Sequence, residues 1–295
     1  MHMPLARKYA LSALAGAMIL LGTTSQAQAA PTAPIFTIDP TALGLSGPII
    51  GPNTPFQANQ IAGTSSELLH TVGNTHYGSG WIDLSGFALN SVGLGPLATG
   101  ADINYGLFIR FQLKDVLVSG TINTPGSASK VTQLDFQFWA DPHNQNTYTP
   151  SSAAGLGTEA TVADVGGDDI LLAVGGLLQG VSGINDLAGA FLNSIQTFAT
   201  CSGAGIANMG GTTIAAAACA NDIGSNFFSS PKPFYGVAFD AFNNTTQGPA
   251  SNGGLLAINQ AVGNIDFNKV PEPGSLALVG LGLLGMVAAG RRRSA

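Results

Sequence analysis

A mainly β domain is the fold class that the sequence predicts. Three observations carry the prediction. Apolar residues recur at every second position in several segments. Gly, Pro, Asn and Ser punctuate the chain between them, with 40 Gly and 16 Pro in 295 residues. No repeat of 20–50 residues is visible that would call for a solenoid or a propeller. Strands and polar turns of this kind lead us to expect a β-sandwich-like arrangement with short helical insertions, in a single domain over residues 30–269.

Residues 1–29 read as a signal peptide. Arg7 and Lys8 form a basic start, and Ala10–Leu21 is an apolar run too short to span a bilayer. Ala27-Gln28-Ala29 has the small-x-small form that signal peptidase cuts. Cleavage is expected after Ala29, because cleavage after Ala30 would leave Pro31 just beyond the scissile bond. The domain is therefore expected to be exported into an oxidising compartment.

Within the domain, Leu107, Ile109, Phe111 and Leu113 alternate with Phe108, Arg110, Gln112 and Lys114, so 105–118 reads as a half-buried strand. Leu134, Phe136 and Phe138 alternate with Asp135 and Gln137 in a second strand over 131–139. Asn123-Thr-Pro-Gly-Ser127 supplies turn chemistry between them, which predicts a hairpin. Gly78-Ser79-Gly80 reads as a loop, and 234–242 and 255–267 as further strands. Over 181–198, Ile184, Leu187, Ala188, Phe191, Ile195 and Phe198 follow three-four spacing behind Ser182 as N-cap, with Asp186 in the early turns. A helix is expected there. Cys201 and Cys219 flank a Gly- and Ala-rich stretch and are expected to pair, closing a loop worth about 3 kcal/mol in the chain-entropy model.

The other end, residues 270–295, carries Pro271-Glu272-Pro273, an uncharged stretch over 274–290 and the run Arg291-Arg292-Arg293. As a helix the stretch would be about 25 Å long, slightly short of a hydrocarbon core. The arginines would stop it on the cytoplasmic side. The two prolines hold Glu272 extended just outside the membrane, where a membrane enzyme could grip it.

Charge narrows the function classes. Only 9% of residues are charged. Between residues 30 and 269, five basic residues face fifteen acidic ones, a net charge of −10. A phosphate-tracking protein needs a basic face, so nucleic acid is excluded as an electrostatic partner.

Val270-Pro-Glu-Pro-Gly, an apolar helix and a terminal Arg cluster together resemble a PEP-CTERM sorting signal. The resemblance implies an exosortase as partner. It also implies transit through the inner membrane of a Gram-negative bacterium, removal of the tail and delivery to the cell surface or matrix. A second resemblance rests on Asn104-Tyr-Gly-Leu-Phe108, Leu134-Asp-Phe-Gln-Phe-Trp-Ala-Asp-Pro142, Gly167-Asp-Asp-Ile-Leu-Leu-Ala173 and Asn226-Phe-Phe-Ser-Ser-Pro-Lys-Pro-Phe-Tyr235. In order and spacing these runs are similar to the flocculation-associated PEP-CTERM proteins. That implies a non-catalytic role in exopolysaccharide-associated cell aggregation, with exopolysaccharide or copies of the same chain as partners. It carries over no catalytic residue.

The residues themselves leave alternatives open. A secreted polysaccharide-binding or polysaccharide-modifying enzyme would need two facing carboxylates among Glu67, Glu159 and the many Asp. His70 and His76 lack the i, i+4 spacing of a zinc helix, and His143 stands apart, so surface or hydrogen-bonded roles are expected for all three. No cofactor is called for by any motif. Asp164, Asp168 and Asp169, beside Gly166-Gly167, offer hard oxygens for Ca²⁺, which would make the chain a calcium-dependent adhesin. Trp81, Trp139, Tyr77, Tyr148 and Tyr235 are candidates for stacking on sugar faces. Tyr235, in a Pro-rich run, is the one expected to be exposed.

Overall fold

The computed structural model describes residues 34–185, 189–200, 223–230, 237–243 and 249–267. The expected mainly β class holds. Eight of the described strands follow one another round a single antiparallel sheet: β3 (Gln60–Val72), β4 (Thr75–Leu89), β6 (Gly106–Ser119), β7 (Ala128–Asp141), β10 (Ile170–Ile184), β11 (Phe191–Thr200), β13 (Val237–Asn243) and β15 (Leu255–Phe267). β15 pairs with β3 on one side and with β13 on the other, so the sheet closes on itself. The strands thus form one closed barrel instead of two stacked layers. Both arrangements bury one face of every strand, and alternation alone does not separate them. Each of the eight has a neighbour on both sides, so edge pairing between copies of the chain finds no open edge in this ring.

Short elements complete the described residues. β1 (Phe36–Ile38), β2 (Phe56–Ala58) and β12 (Phe228–Ser230) form a three-stranded sheet. The five-residue helix Ile223–Phe227 leads into β12, and a one-turn helix spans Pro96–Thr99. β5 (Val92–Leu94) pairs antiparallel with the end of β4, and β14 (Ala250–Asn252) with the start of β15. β8 (Thr147–Thr149) and β9 (Thr161–Ala163) pair with each other in the β7–β10 connection.

The strand pattern explains the core. Leu107, Ile109, Phe111 and Leu113 of β6 face the lumen with Leu134, Phe136 and Phe138 of β7, Ile82 and Leu84 of β4, and Ile258 and Ile265 of β15. At one end the small sheet packs aromatics onto this core. Phe228 lies 5.4 Å from Phe138, and Phe227 lies 5.8 Å edge-on from Tyr105. The opposite faces of β6 and β7 carry Arg110, Gln112, Lys114, Gln133, Asp135 and Gln137. Phe108 and Trp139 interrupt this face, which is still more polar than the lipid-facing side of a membrane barrel. Among the described residues no helix is long and apolar enough to cross a membrane.

Two expectations are corrected. The stretch 181–198 is not a helix. It comprises the end of β10 and most of β11, paired Ile184↔Phe191 and Ser182↔Asn193. Phe191, Ile195 and Thr197 are buried at even spacing along β11, and neighbouring strands supply partners that outweigh the local spacing. A side chain at Gly183 would meet the Ser127 carbonyl oxygen at 2.5 Å, so glycine is what lets these backbones close. Gly78-Ser79-Gly80 is not a loop but the middle of β4. A Cβ at Gly80 would lie 2.7 Å from the Phe111 ring, so its absence makes room for that ring in the lumen.

Candidate functional site

Polar side chains gather in two places: inside the lumen and on the outer wall beneath the β7–β10 connection. In the lumen His76 of β4 stands opposite Asp115 of β6. Its Nδ1 lies 2.7 Å from Asp115 Oδ1 and its Nε2 lies 2.8 Å from Asn123 Oδ1. Ser182 of β10 donates to the other Asp115 oxygen at 2.7 Å, and Asn123 donates to Thr71 Oγ1 at 2.8 Å. With oxygens at both ring nitrogens, His76 donates twice and carries its proton. Burial works against that charge. The hydrogen bond and charge of Asp115 and the Asn123 contact outweigh it, and the His76 pKa is raised.

Glu67 of β3 faces the same lumen without such help. It borders a cavity of about 30 Å³ with Ser65, Phe111 and Asn193, and no described residue donates a hydrogen bond to its side chain. Burial pushes its carboxyl up to about 8, Asp115 adds to the shift and His76 opposes it. A cavity of this size holds about one water, not a substrate. Glu67 is therefore a protonated wall residue.

The outer site is built by residues 142–169. This connection lies over β3, β4, β6 and β15 and is fastened by side chains. Trp81 Nε1 donates to the Thr149 carbonyl at 3.0 Å and Arg110 Nη2 to the Val162 carbonyl at 3.1 Å. Ser151 donates from its hydroxyl to the Glu67 carbonyl at 2.8 Å, and its amide binds Ser66 Oγ at 2.8 Å. Glu159 receives Ser79 Oγ at 2.7 Å on one oxygen, and His70 Nε2 lies 2.7 Å from the other. Between strap and wall runs a groove of about 200 Å³ lined by Ser79, Trp81, Arg110, Gln112, Glu159 and Thr161.

Arg110 is the cation of that groove. Its guanidinium sits 5.4 Å from the Phe108 ring centre and 5.8 Å from that of Trp139, two rings stacked at 8°. Val162 and these faces hold the fork in place, yet its Nε is buried with no hydrogen-bond partner. Leaving such a donor unmet costs about 1–3 kcal/mol, and arginine cannot escape by losing its proton.

Several predicted site residues lie here. The three aspartates proposed for Ca²⁺ turn to separate partners. Asp164 accepts the Gly167 amide, Asp168 pairs with His143 at 2.5 Å, and Asp169 accepts from Asn146 at 2.7 Å. Burial, with Asp164 and Asp141 nearby, raises Asp169 to about 6 against Asn146 and Arg110. Among the described residues no three His, Cys, Asp or Glu side chains converge as a metal site. Of the stacking candidates, Trp81 is buried against Tyr148, 5.1 Å away, and Tyr77 lies under the Lys114 ammonium. Trp139 is half-buried on Phe108. Ala27, Ala29, Cys201, Cys219, Tyr235, Pro271, Glu272, Pro273 and Arg291–Arg293 lie outside the described residues. Arg110 and Ser79 were missed as site residues. Their signal was weak: a lone cation on the polar face of an alternating strand, and a serine between two glycines.

Past the closing strand, residues 269–293 match the family model of the PEP-CTERM protein-sorting motif. The chain carries a PEP-CTERM sorting signal. The matched stretch contains Pro271, Glu272, Pro273 and Arg291–Arg293, and such a signal marks an exported protein processed by an exosortase. The PEP-CTERM match begins two residues after β15 ends at Phe267. No curated protein and no solved structure matches the chain.

Proposed function

We propose that the chain is a non-catalytic surface or matrix protein. It is exported, released by an exosortase and retained with exopolysaccharide, where it promotes cell aggregation. The sorting motif at residues 269–293 carries the reading. One feature of the barrel supports it: Lys114, Gln133 and Asp135, on the outer faces of β6 and β7, are polar and partly exposed, which suits a hydrated matrix.

Two measurements test the reading. Mass spectrometry of the protein from washed extracellular matrix should show a C-terminus upstream of Arg291. Recovery with Arg291–Arg293 attached would remove the exosortase step. Cells lacking the protein should aggregate less, and the purified mature form should co-sediment with the producer's own polysaccharide without shortening it. Normal aggregation, or depolymerisation of that polysaccharide, would overturn the role.

A further inference from the structure

The groove between the strap and the barrel wall is built like a ligand site and no described residue fills it. Its lining alternates in hydrogen-bonding sense. Arg110 borders the groove, and its guanidinium carries terminal N–H groups beyond the one given to the Val162 carbonyl. Glu159 has one donor at each oxygen, although a carboxylate has about four acceptor positions. Ser79 Oγ spends its hydrogen on Glu159 and keeps acceptor capacity. Trp81 borders the groove while mostly buried, its indole N–H already committed to Thr149. The volume of about 200 Å³ falls below the about 300 Å³ at which pockets for drug-sized ligands begin, so the occupant is one small ring.

Charge selects among such rings. A carboxylated or sulfated sugar would satisfy Arg110 but meet the Glu159 carboxylate, within a domain of net charge −10. An ammonium ligand would meet Arg110. Hydroxyl groups both donate and accept, so one polyol can bridge the two side chains without a charge conflict. We infer that this groove binds a single uncharged pyranose unit of a glycan, its hydroxyls bridging Arg110 and Glu159 beside the edge of the buried Trp81. The inference rests on the polysaccharide reading above and names the ligand class and the site.

The chain has two tryptophans. Trp81 lines the groove and Trp139 stacks beside Arg110, so tryptophan emission, excited at 295 nm, reports occupancy. The mature protein should be titrated with neutral oligosaccharides of glucose, galactose, mannose and N-acetylglucosamine, and with oligo-alginate as the charged comparator. At least one neutral series should give a saturable change, and the alginate series a weaker one. Arg110→Gln should lower the affinity at least tenfold. Thr161→Tyr, at an exposed position on the groove rim, should block binding while leaving the fold and the Arg110 contacts intact. Silence from every neutral series, tighter binding of alginate, or unchanged affinity in Thr161→Tyr overturns the site. If the two variants still co-sediment with the producer's polysaccharide, the matrix reading stands and the groove assignment falls. If the wild type does not co-sediment, the matrix reading itself falls.

Discussion

The lumen and the outer groove both bury ionisable groups among apolar side chains, and they treat those groups differently. In the lumen Asp115 receives His76 and Ser182, whereas Glu67 receives no donor and keeps its proton, at a pKa of about 8. In the groove Arg110 has one carbonyl and two ring faces, and an N–H left over. An acid without a partner can become neutral and behave as wall. A guanidinium cannot. A guanidinium that borders a groove of about 200 Å³ is for that reason a stronger sign of a ligand than a neutral acid beside a cavity of about 30 Å³.

The largest test of this contrast is Asp115→Ala. It strands the buried imidazolium and frees Ser182, and it should cost about 3–5 kcal/mol in urea denaturation. A loss under about 1 kcal/mol would mean that the lumen does not depend on the pair. Next comes Glu67→Gln, which should stabilise. The folded carboxyl holds its proton up to about 8, while the unfolded one releases it near 4.5, so wild-type stability declines as pH rises between those values. The raised His76 adds in the same direction: its contribution is complete below the ordinary histidine pKa and is lost as pH climbs through the folded value. Melting curves should show a gain from Glu67→Gln of about 3 kcal/mol at pH 7 that vanishes near pH 4.5. Equal gains at both pH values would show that Glu67 is not held neutral by burial.

Smaller effects belong to the strap. Ser151→Ala removes the hydroxyl that donates to the Glu67 carbonyl and accepts no replacement. It should cost about 1–2 kcal/mol and speed proteolysis within residues 142–169. Unchanged cleavage would show that the strap is held elsewhere. The smallest change is expected for Asp168→Asn, because His143 and Asp168 are 44% and 29% exposed. Its effect should stay below about 1 kcal/mol, and a larger loss would make this pair the strap's anchor.

Parts of this arrangement are legible in the amino-acid order. The alternation in β6 and β7 places Phe111 and Phe136 inward and Gln112 and Gln137 outward, and the Asn123–Ser127 turn joins them. β15 spans Leu255–Phe267, the range the apolar pattern marks. The β10–β11 hairpin is illegible because Ile184, Phe191 and Ile195 sit inward on two strands while their numbers mimic helical spacing. Ring closure depends on the β13–β15 contact, a pairing that no local pattern encodes. The groove was hidden for a similar reason. Arg110 is 52 residues from Val162, and it meets Val162 and Glu159 only because the strap folds back across the wall.

β15 is both the last strand of the ring and the one that joins its two ends, and the sorting tag at 269–293 begins two residues beyond it. A chain shortened before Leu255 would therefore lose the seam of the barrel and its address together, whereas a cut past Phe267 leaves every strand of the ring in place.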